Sequence, residues 1–333
     1  MRKIDVHTHI LPESLPDFGP GFVRIEPDAP GRARMTIDGK LFREIERNSW
    51  DTGKRIEECD REGIGVQVLS TVPVMFGYGA PGPRALELAR RLNDHIAGVQ
   101  AERPSRFVGL GTIPMQDARL AIAELERCMG ELGLAGIQIG SNVNGANLDG
   151  PELFPIFEAA EQLGAAVFVH PWEMVGRERM ARYWLPWLVG MPAETALAIC
   201  SLVFGGVLER LPRLRIAFAH GGGSFPGTFG RIAHGFDVRP DLVAVANDVP
   251  PRDYLRRIYV DSLVHDPLAL RYLVDLMGAD RVALGSDYPF PLGEEHPGAL
   301  IESSGLPEAT RERLLSGTAL EWLGLPGERF GIP

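Results

Sequence analysis

The chain has 333 residues, 45% of them apolar and 23% charged, with a formal net charge of -10 at pH 7, a soluble globular mix long enough for two average domains or one α/β barrel. The acidic balance argues against broad nucleic-acid binding, but a few Arg and Lys concentrated in one pocket could still hold an anionic small molecule. Three scattered cysteines, Cys59, Cys128 and Cys200, argue against a disulfide scaffold or thiolate zinc site and point to a reducing cytoplasm; no apolar run is read as a membrane span or signal-peptide core.

Ile4-Asp5-Val6-His7-Thr8-His9-Ile10 reads as a buried first strand. Side chains at i and i+2 share a face, so His7 and His9 point the same way. Two imidazoles in a buried strand need a common partner, and a divalent metal is the usual one. Residues 11–50 are rich in Pro, Gly and mixed charge, with β-like pieces at 22–25 and 34–37. That is long for a simple connection and predicts an insertion with a small sheet of its own, near a functional site. A helix follows, capped by Asp51 and burying Ile56.

Strand-like runs then fall at 65–71, 107–112, 136–139, 165–170, 214–220, 257–262 and 281–286, alternating with helical periods at 83–101, 117–132, 151–163, 193–208 and 266–277. Residues 307–333 read as one or two closing helices. With the first strand this makes an eight-membered series, which predicts an α/β fold of the (β/α)8 TIM-barrel type as one domain over 1–333, with the β insertion at 11–50 and a C-terminal helical extension. A doubly wound sheet would carry Gly-x-Gly-x-x-Gly after its first strand, and none is present.

Polar residues recur at the strand ends: His7 and His9 on the first, then His170, His220 and Asp287. In a parallel barrel these ends open onto one face, where the active site sits. A lone His at such a place is more often a hydrogen-bonded core residue, but four with an aspartate point to a metal site. Three neutral imidazoles and a carboxylate suit zinc or a similar ion and leave a position for water, whose pKa the metal would lower toward neutrality. His220 reads either as a fourth imidazole ligand or as a base holding that water.

The set His7-Thr8-His9, His170, His220 and Asp287 resembles the metal pattern of the amidohydrolase superfamily. More specific runs are Trp184-Leu-Pro-Trp-Leu-Val-Gly-Met-Pro-Ala-Glu-Thr195 and Gly285-Ser-Asp-Tyr-Pro-Phe-Pro-Leu-Gly-Glu294, with Ser70–Gly77, Val169-His-Pro-Trp172 and His220-Gly-Gly-Gly-Ser-Phe225 beside them. Through these the chain is similar, over nearly its whole length, to the aminocarboxymuconate-semialdehyde decarboxylase family. The resemblance implies one zinc ion held by His7, His9, His170 and Asp287, with His220 as acid/base. Many amidohydrolases have a metal-bridging lysine at the end of strand 4; here Gln138-Ile139-Gly140 stands there, which implies a mononuclear site. The resemblance also implies Arg43 as a carboxylate clamp, Lys40 as a weaker candidate for the same pocket, Trp187 and Phe290 as pocket aromatics, and a homodimer in which Arg231 reaches the neighbouring site.

The implied reaction is oxygen-independent decarboxylation of a muconate semialdehyde carrying two carboxylates, in tryptophan or 3-hydroxyanthranilate catabolism, with Asp287 or His220 protonating the carbon. Two routes stay open: hydroxide addition to the unsaturated chain, or direct binding of substrate to the metal with protonation first. Rival readings are an aromatic-acid decarboxylase, a lactone or amide hydrolase on the same metal site, and a metal-storing barrel.

Overall fold

The computed structural model describes residues 2–332. The first strand, β1 (Lys3–His9), is buried along its whole length. After it, β2 (Val23–Ala29), β3 (Arg32–Ile37) and β4 (Lys40–Glu46) form a three-stranded antiparallel sheet. The main sheet resumes with β5 (Ile64–Ser70), β6 (Phe107–Gly111) and β7 (Gly136–Gly140). A small hairpin, β8 (Asn142–Val143) and β9 (Ala146–Asn147), precedes β10 (Ala166–His170), β11 (Arg215–Phe218), β12 (Tyr259–Asp261) and β13 (Val282–Ala283).

Eight parallel strands are ordered β1-β5-β6-β7-β10-β11-β12-β13. The last meets the first through backbone bonds Val6 N to Leu284 O (2.8 Å), Asp287 N to His7 O (2.8 Å) and His9 N to Tyr288 O (2.7 Å). The sheet thus closes as the (β/α)8 barrel that the alternation predicts. Val66, Val68, Val108, Leu110, Ala166, Phe168 and Ala217 cluster with Trp322 and Phe330 from the C-terminal tail. The alternate residues Val167, Val169, Ile216 and Phe218 pack in a second cluster with the helices. Strands buried on both faces read as continuous apolar runs, which is why the sequence showed them.

Side-chain caps start several helices where the sequence places an Asp. Asp51 accepts from Lys54 N at 2.8 Å at the head of Thr52–Glu62, and Asp266 accepts from Leu268 N and Ala269 N at the head of Pro267–Met277. Each such cap stabilises by about 1 kcal/mol. The buried face of Thr52–Glu62 is Arg55 and Cys59, while Ile56 is only half-buried.

Three features depart from the sequence reading. The insertion has a third strand, β4, whose mixed-charge sequence Lys-Leu-Phe-Arg-Glu-Ile-Glu carries no apolar alternation. β1 has a register shift: Asp5 pairs with Gln67 but Thr8 with Leu69, so three steps on β1 oppose two on β5. A bulge of this kind re-aims side chains beside a site, and it lets Ile4 and Val6 join the inner apolar cluster while His7 and His9 remain available to the barrel mouth. Finally, one helix, Pro186–Phe204, is long and apolar enough to span a membrane (19 residues, mean hydropathy 1.6), contrary to expectation, but half of its apolar window is buried within the protein. Ile199, Leu202 and Val203 from it lie in the barrel's helix-side core.

Candidate metal centre and substrate pocket

β1 delivers His7 and His9, β10 ends on His170, and the loop after β13 brings in Asp287. One ligand atom from each lies within 4.8 Å of all the others. The ring of His7 stands 5.2 Å from that of His9 and 5.1 Å from that of His170, edge to face. Asp287 lies in the left-handed region (φ 60°) and His220 does too (φ 57°). Such backbone costs of order 1–3 kcal/mol and recurs where a functional side chain has to be aimed.

The outer nitrogens fix the tautomers. His9 Nδ1 donates to the Thr71 carbonyl at 2.9 Å, His170 Nδ1 to the Pro171 carbonyl at 3.0 Å, and His7 Nδ1 to Asp261 Oδ2 at 2.7 Å. A neutral ring that donates from Nδ1 keeps a lone pair on Nε2. All three Nε2 atoms are buried and have no hydrogen-bond partner among the described residues. His9 Nε2 faces Asp287 Oδ1 at 3.0 Å, two electron-rich atoms that need a cation between or beside them. The residues therefore fit a divalent metal on the chemistry of the donor set alone.

Electrostatics agree for His170, His9 and Asp287, whereas at His7 burial acts downward but Asp287 and Asp261 outweigh it and raise the pKa. Burial, and then the neighbouring imidazoles of His220, His7 and His9, hold His170 well below its usual range, so it is neutral. Burial also lowers His9, against the pull of Asp287. For Asp287 burial acts upward, yet His7, His220 and His9 outweigh it and keep the carboxyl ionised, well below the usual carboxylate range.

The pocket above this cluster is lined by His9, Phe42, Arg43, His170, Trp172, Trp184, Trp187, Asp287 and Phe290. The Arg43 guanidinium lies 4.0 Å over the Phe290 ring, and its Nη1 is buried with no hydrogen-bond partner among the described residues. Burial lowers its pKa, opposed only by Asp287. Phe290 in turn packs against His9 at 5.4 Å between ring centroids, and Trp184 against Trp187 at 5.9 Å.

The structure thus brings together His7, His9, His170, Asp287, Arg43, Trp187 and Phe290. His220 Nε2 stands 3.8 Å from Asp287 Oδ2, beside the cluster, and its Nδ1 is buried without a partner among the described residues. Lys40 is not brought in. It begins β4 at the exposed hairpin tip opposite Ile37, away from the pocket lining. Arg231 is exposed on the helix Phe225–Val238 and outside this pocket in the single chain. Gln138, where a bridging lysine would stand, uses its amide locally: Nε2 donates to the Thr71 carbonyl at 2.9 Å and Oε1 accepts from Ser70 Oγ at 2.5 Å.

Five contributors went unread in the sequence. Phe42, Trp172 and Trp184 wall the pocket. Arg55, fully buried, binds the His9 carbonyl (2.8 Å), the Asn48 carbonyl (3.1 Å) and Gln67 (3.1 Å) and so braces the bulged end of β1. Asp261 also escaped notice, although it ends a strand just as the others do.

Residues 4–325 match the amidohydrolase family model. The 2-amino-3-carboxymuconate-6-semialdehyde decarboxylase of Dictyostelium discoideum is 61% identical over 98% of this chain and 93% of its own length. Its namesake from Caenorhabditis elegans is 38% identical over 97% and 94%. Among solved structures, 5-carboxyvanillate decarboxylase from Novosphingobium aromaticivorans, complexed with manganese and a nitrobenzoic acid, superposes with a TM-score of 0.76 at 26% identity, over 84% of this chain and 82% of that one.

Proposed function

The chain belongs to the amidohydrolase family, and from that we propose that it is a metal-dependent carboxy-lyase that converts 2-amino-3-carboxymuconate 6-semialdehyde to 2-aminomuconate 6-semialdehyde and carbon dioxide without oxygen. The observation that carries the reading is the buried, unpartnered Nη1 of Arg43 in a pocket whose lining includes His9, His170 and Asp287. A buried N–H group left without an acceptor is costly, and an anionic substrate relieves that cost as it binds. The 61% identical relative of that name supports the same substrate.

A single zinc ion held by His7, His9, His170 and Asp287 would supply Lewis acidity and an activated water. The chain's own groups do the rest. Arg43 binds one carboxylate through its planar fork and fixes the chain's orientation. Trp187 and Phe290 exclude water, which strengthens each charge interaction. Loss of carbon dioxide leaves an electron pair on carbon, and a proton must arrive there. His220, 3.8 Å from Asp287, takes a proton at Nε2 from solvent water and returns it to that carbon; Asp287, ionised at rest, can deliver a proton only after taking one from His220.

A homodimer belongs to this reading, with the partner subunit's Arg231 completing the anion site. Arg231 and the exposed Val238 are seven residues apart and so share one face of their helix, and exposed Leu242 follows. The setting is a reducing cytoplasm, in keeping with three free cysteines. The reaction would sit in tryptophan or 3-hydroxyanthranilate breakdown, where it diverts flux from quinolinate.

The second reading is decarboxylation of an aromatic acid, favoured by the aromatic walls Trp172, Trp184 and Phe290 and by the likeness to the carboxyvanillate enzyme. Comparing kcat/KM for the muconate semialdehyde with that for resorcylate and carboxyvanillate on one zinc-loaded preparation separates the two. Preference for either aromatic acid would move the assignment.

A further inference from the structure

The three imidazoles of the cluster are not held alike. His9 and His170 lean on backbone carbonyls, which offer weak and generic acceptors, whereas His7 leans on a carboxylate. That carboxylate, Asp261 at the end of β12, is fully buried, and among the described residues no Lys or Arg bonds to it. Its two oxygens accept four hydrogen bonds. Oδ2 takes His7 Nδ1 at 2.7 Å and the backbone N–H of His220 at 2.9 Å; Oδ1 takes the N–H of Gly221 at 2.7 Å and of Leu263 at 3.1 Å.

Two of the three amides it gathers, those of His220 and Gly221, belong to an unusual turn. His220, Gly221, Gly222 and Gly223 all have positive φ, at 57°, 61°, 76° and 63°. Such backbone folds back on itself and points successive N–H groups into a concavity that favours an anion. A Cβ at Gly221 would meet Val264 Cγ1 at 2.5 Å, and one at Gly223 would meet the Pro192 carbonyl at 2.4 Å, so glycine is required for the turn to sit this close. Asp261 is the anion that fills it.

We propose that Asp261 is a positioning residue that ties two functional parts into one unit: it sets the Nδ1–H tautomer of His7, and it pins the turn that carries His220. The proposal rests on the metal-site reading above for the first part and on the acid/base reading of His220 for the second.

Asp261→Asn is the discriminating change. Whichever way the amide is oriented, its NH2 faces two donors: His7 Nδ1 and His220 N, or Gly221 N and Leu263 N. In the first orientation His7 must move its proton to Nε2, and that atom can no longer ligate a metal; in the second the turn is released. The chelator-stripped protein is titrated with zinc against a competing chromophoric chelator, with no substrate present. Asp261→Asn is expected to bind zinc about 10- to 100-fold more weakly, in the range for loss of an outer partner of a metal-bound His. Val260→Ala, a neighbour on β12 that lies in the helix-side core, is expected to lose stability but keep its zinc affinity.

Equal zinc affinity of Asp261→Asn and the unaltered protein overturns the tautomer role, whatever the enzyme's substrate. At saturating zinc Asp261→Asn is expected to stay slow in kcat with KM little changed, and full recovery overturns the coupling to His220. If Asp261→Asn does not fold, the histidine ring nitrogens of the unaltered protein decide by 1H–15N spectroscopy. A strongly downfield Nδ1 proton on His7 is expected; protonation of His7 at Nε2 overturns the proposal. Failure of the unaltered protein to bind any divalent metal would sink the metal reading and the tautomer role with it, whereas failure to decarboxylate would leave the zinc result standing.

Discussion

His220 Nε2 stands 3.8 Å from Asp287 Oδ2, close enough to exchange a proton through one small movement. It remains outside the group of four ligand atoms formed by His7, His9, His170 and Asp287. The sequence left His220 open as ligand or base, and this placement favours the base.

His220→Ala is therefore expected to retain close to one zinc per chain while kcat falls by about 10²- to 10⁴-fold, the usual range for a lost acid/base group. Metal content measured on the purified variant beside its turnover checks this. Parallel loss of metal and activity would make His220 a ligand.

Arg43 Nη1 has no partner in the pocket. Arg43→Ala is expected to raise KM for the dicarboxylate by about 10- to 100-fold, as a charge-assisted bond of ~1.5–3 kcal/mol is lost. Arg43→Lys should recover little of it, since a point charge cannot reproduce the planar fork. Steady-state kinetics on both variants test the clamp, and an unchanged KM in Arg43→Ala would remove Arg43 from the site.

Arg231 is exposed on its own chain. If it serves the neighbouring site, Arg231→Ala chains and His170→Ala chains, each inactive alone, regain activity when mixed, because a hybrid dimer has one complete site. Absence of recovery, with subunit exchange shown by mass spectrometry, argues against a shared site.

Glu294 predicts a pH dependence away from the metal. Burial, with smaller repulsion from Asp5 and Asp261 and against a bond from Gly298 N, raises its carboxyl from 4.5 to about 7. The folded protein thus holds this proton more tightly than the unfolded chain. Its contribution to stability is complete below pH 4.5 and is lost as pH rises through 7. Glu294→Gln copies the neutral form and can still accept from Gly298 N. The variant's melting temperature relative to the unaltered protein should therefore climb between pH 5 and pH 8, and a difference that stays flat would contradict the shift.

Much of this was readable before the structure. The alternation of short apolar runs with helical periods marks a barrel because its strands are buried on both faces, and the ligands stand out because polar residues are rare at the ends of such runs. What escaped has physical reasons. β4, which carries Arg43, alternates charged and apolar residues irregularly and is largely exposed, so no period marks it. The bulge in β1 has no Gly or Pro to signal it; it shows only in the pairing of Asp5 and Thr8 with β5. β13 is two residues long, because the chain beyond it turns to close the barrel through Leu284 and Asp287. Asp261 lay inside a run read as plain strand, and the aromatic walls share their composition with any apolar core. Arg231 shows the limit of one chain: within it the residue is exposed and outside the pocket, and the shared site is a proposal about a second copy.

Metal-dependent loss of carbon dioxide from a muconate semialdehyde can be measured in one assay. The most direct test follows freshly generated 2-amino-3-carboxymuconate 6-semialdehyde anaerobically with zinc-loaded and chelator-stripped protein, recording substrate absorbance and released carbon dioxide together. One carbon dioxide per substrate is expected with the loaded protein and only spontaneous cyclisation to quinolinate with the stripped one. Substrate decay at the spontaneous rate in both, with zinc shown to be bound, would contradict it.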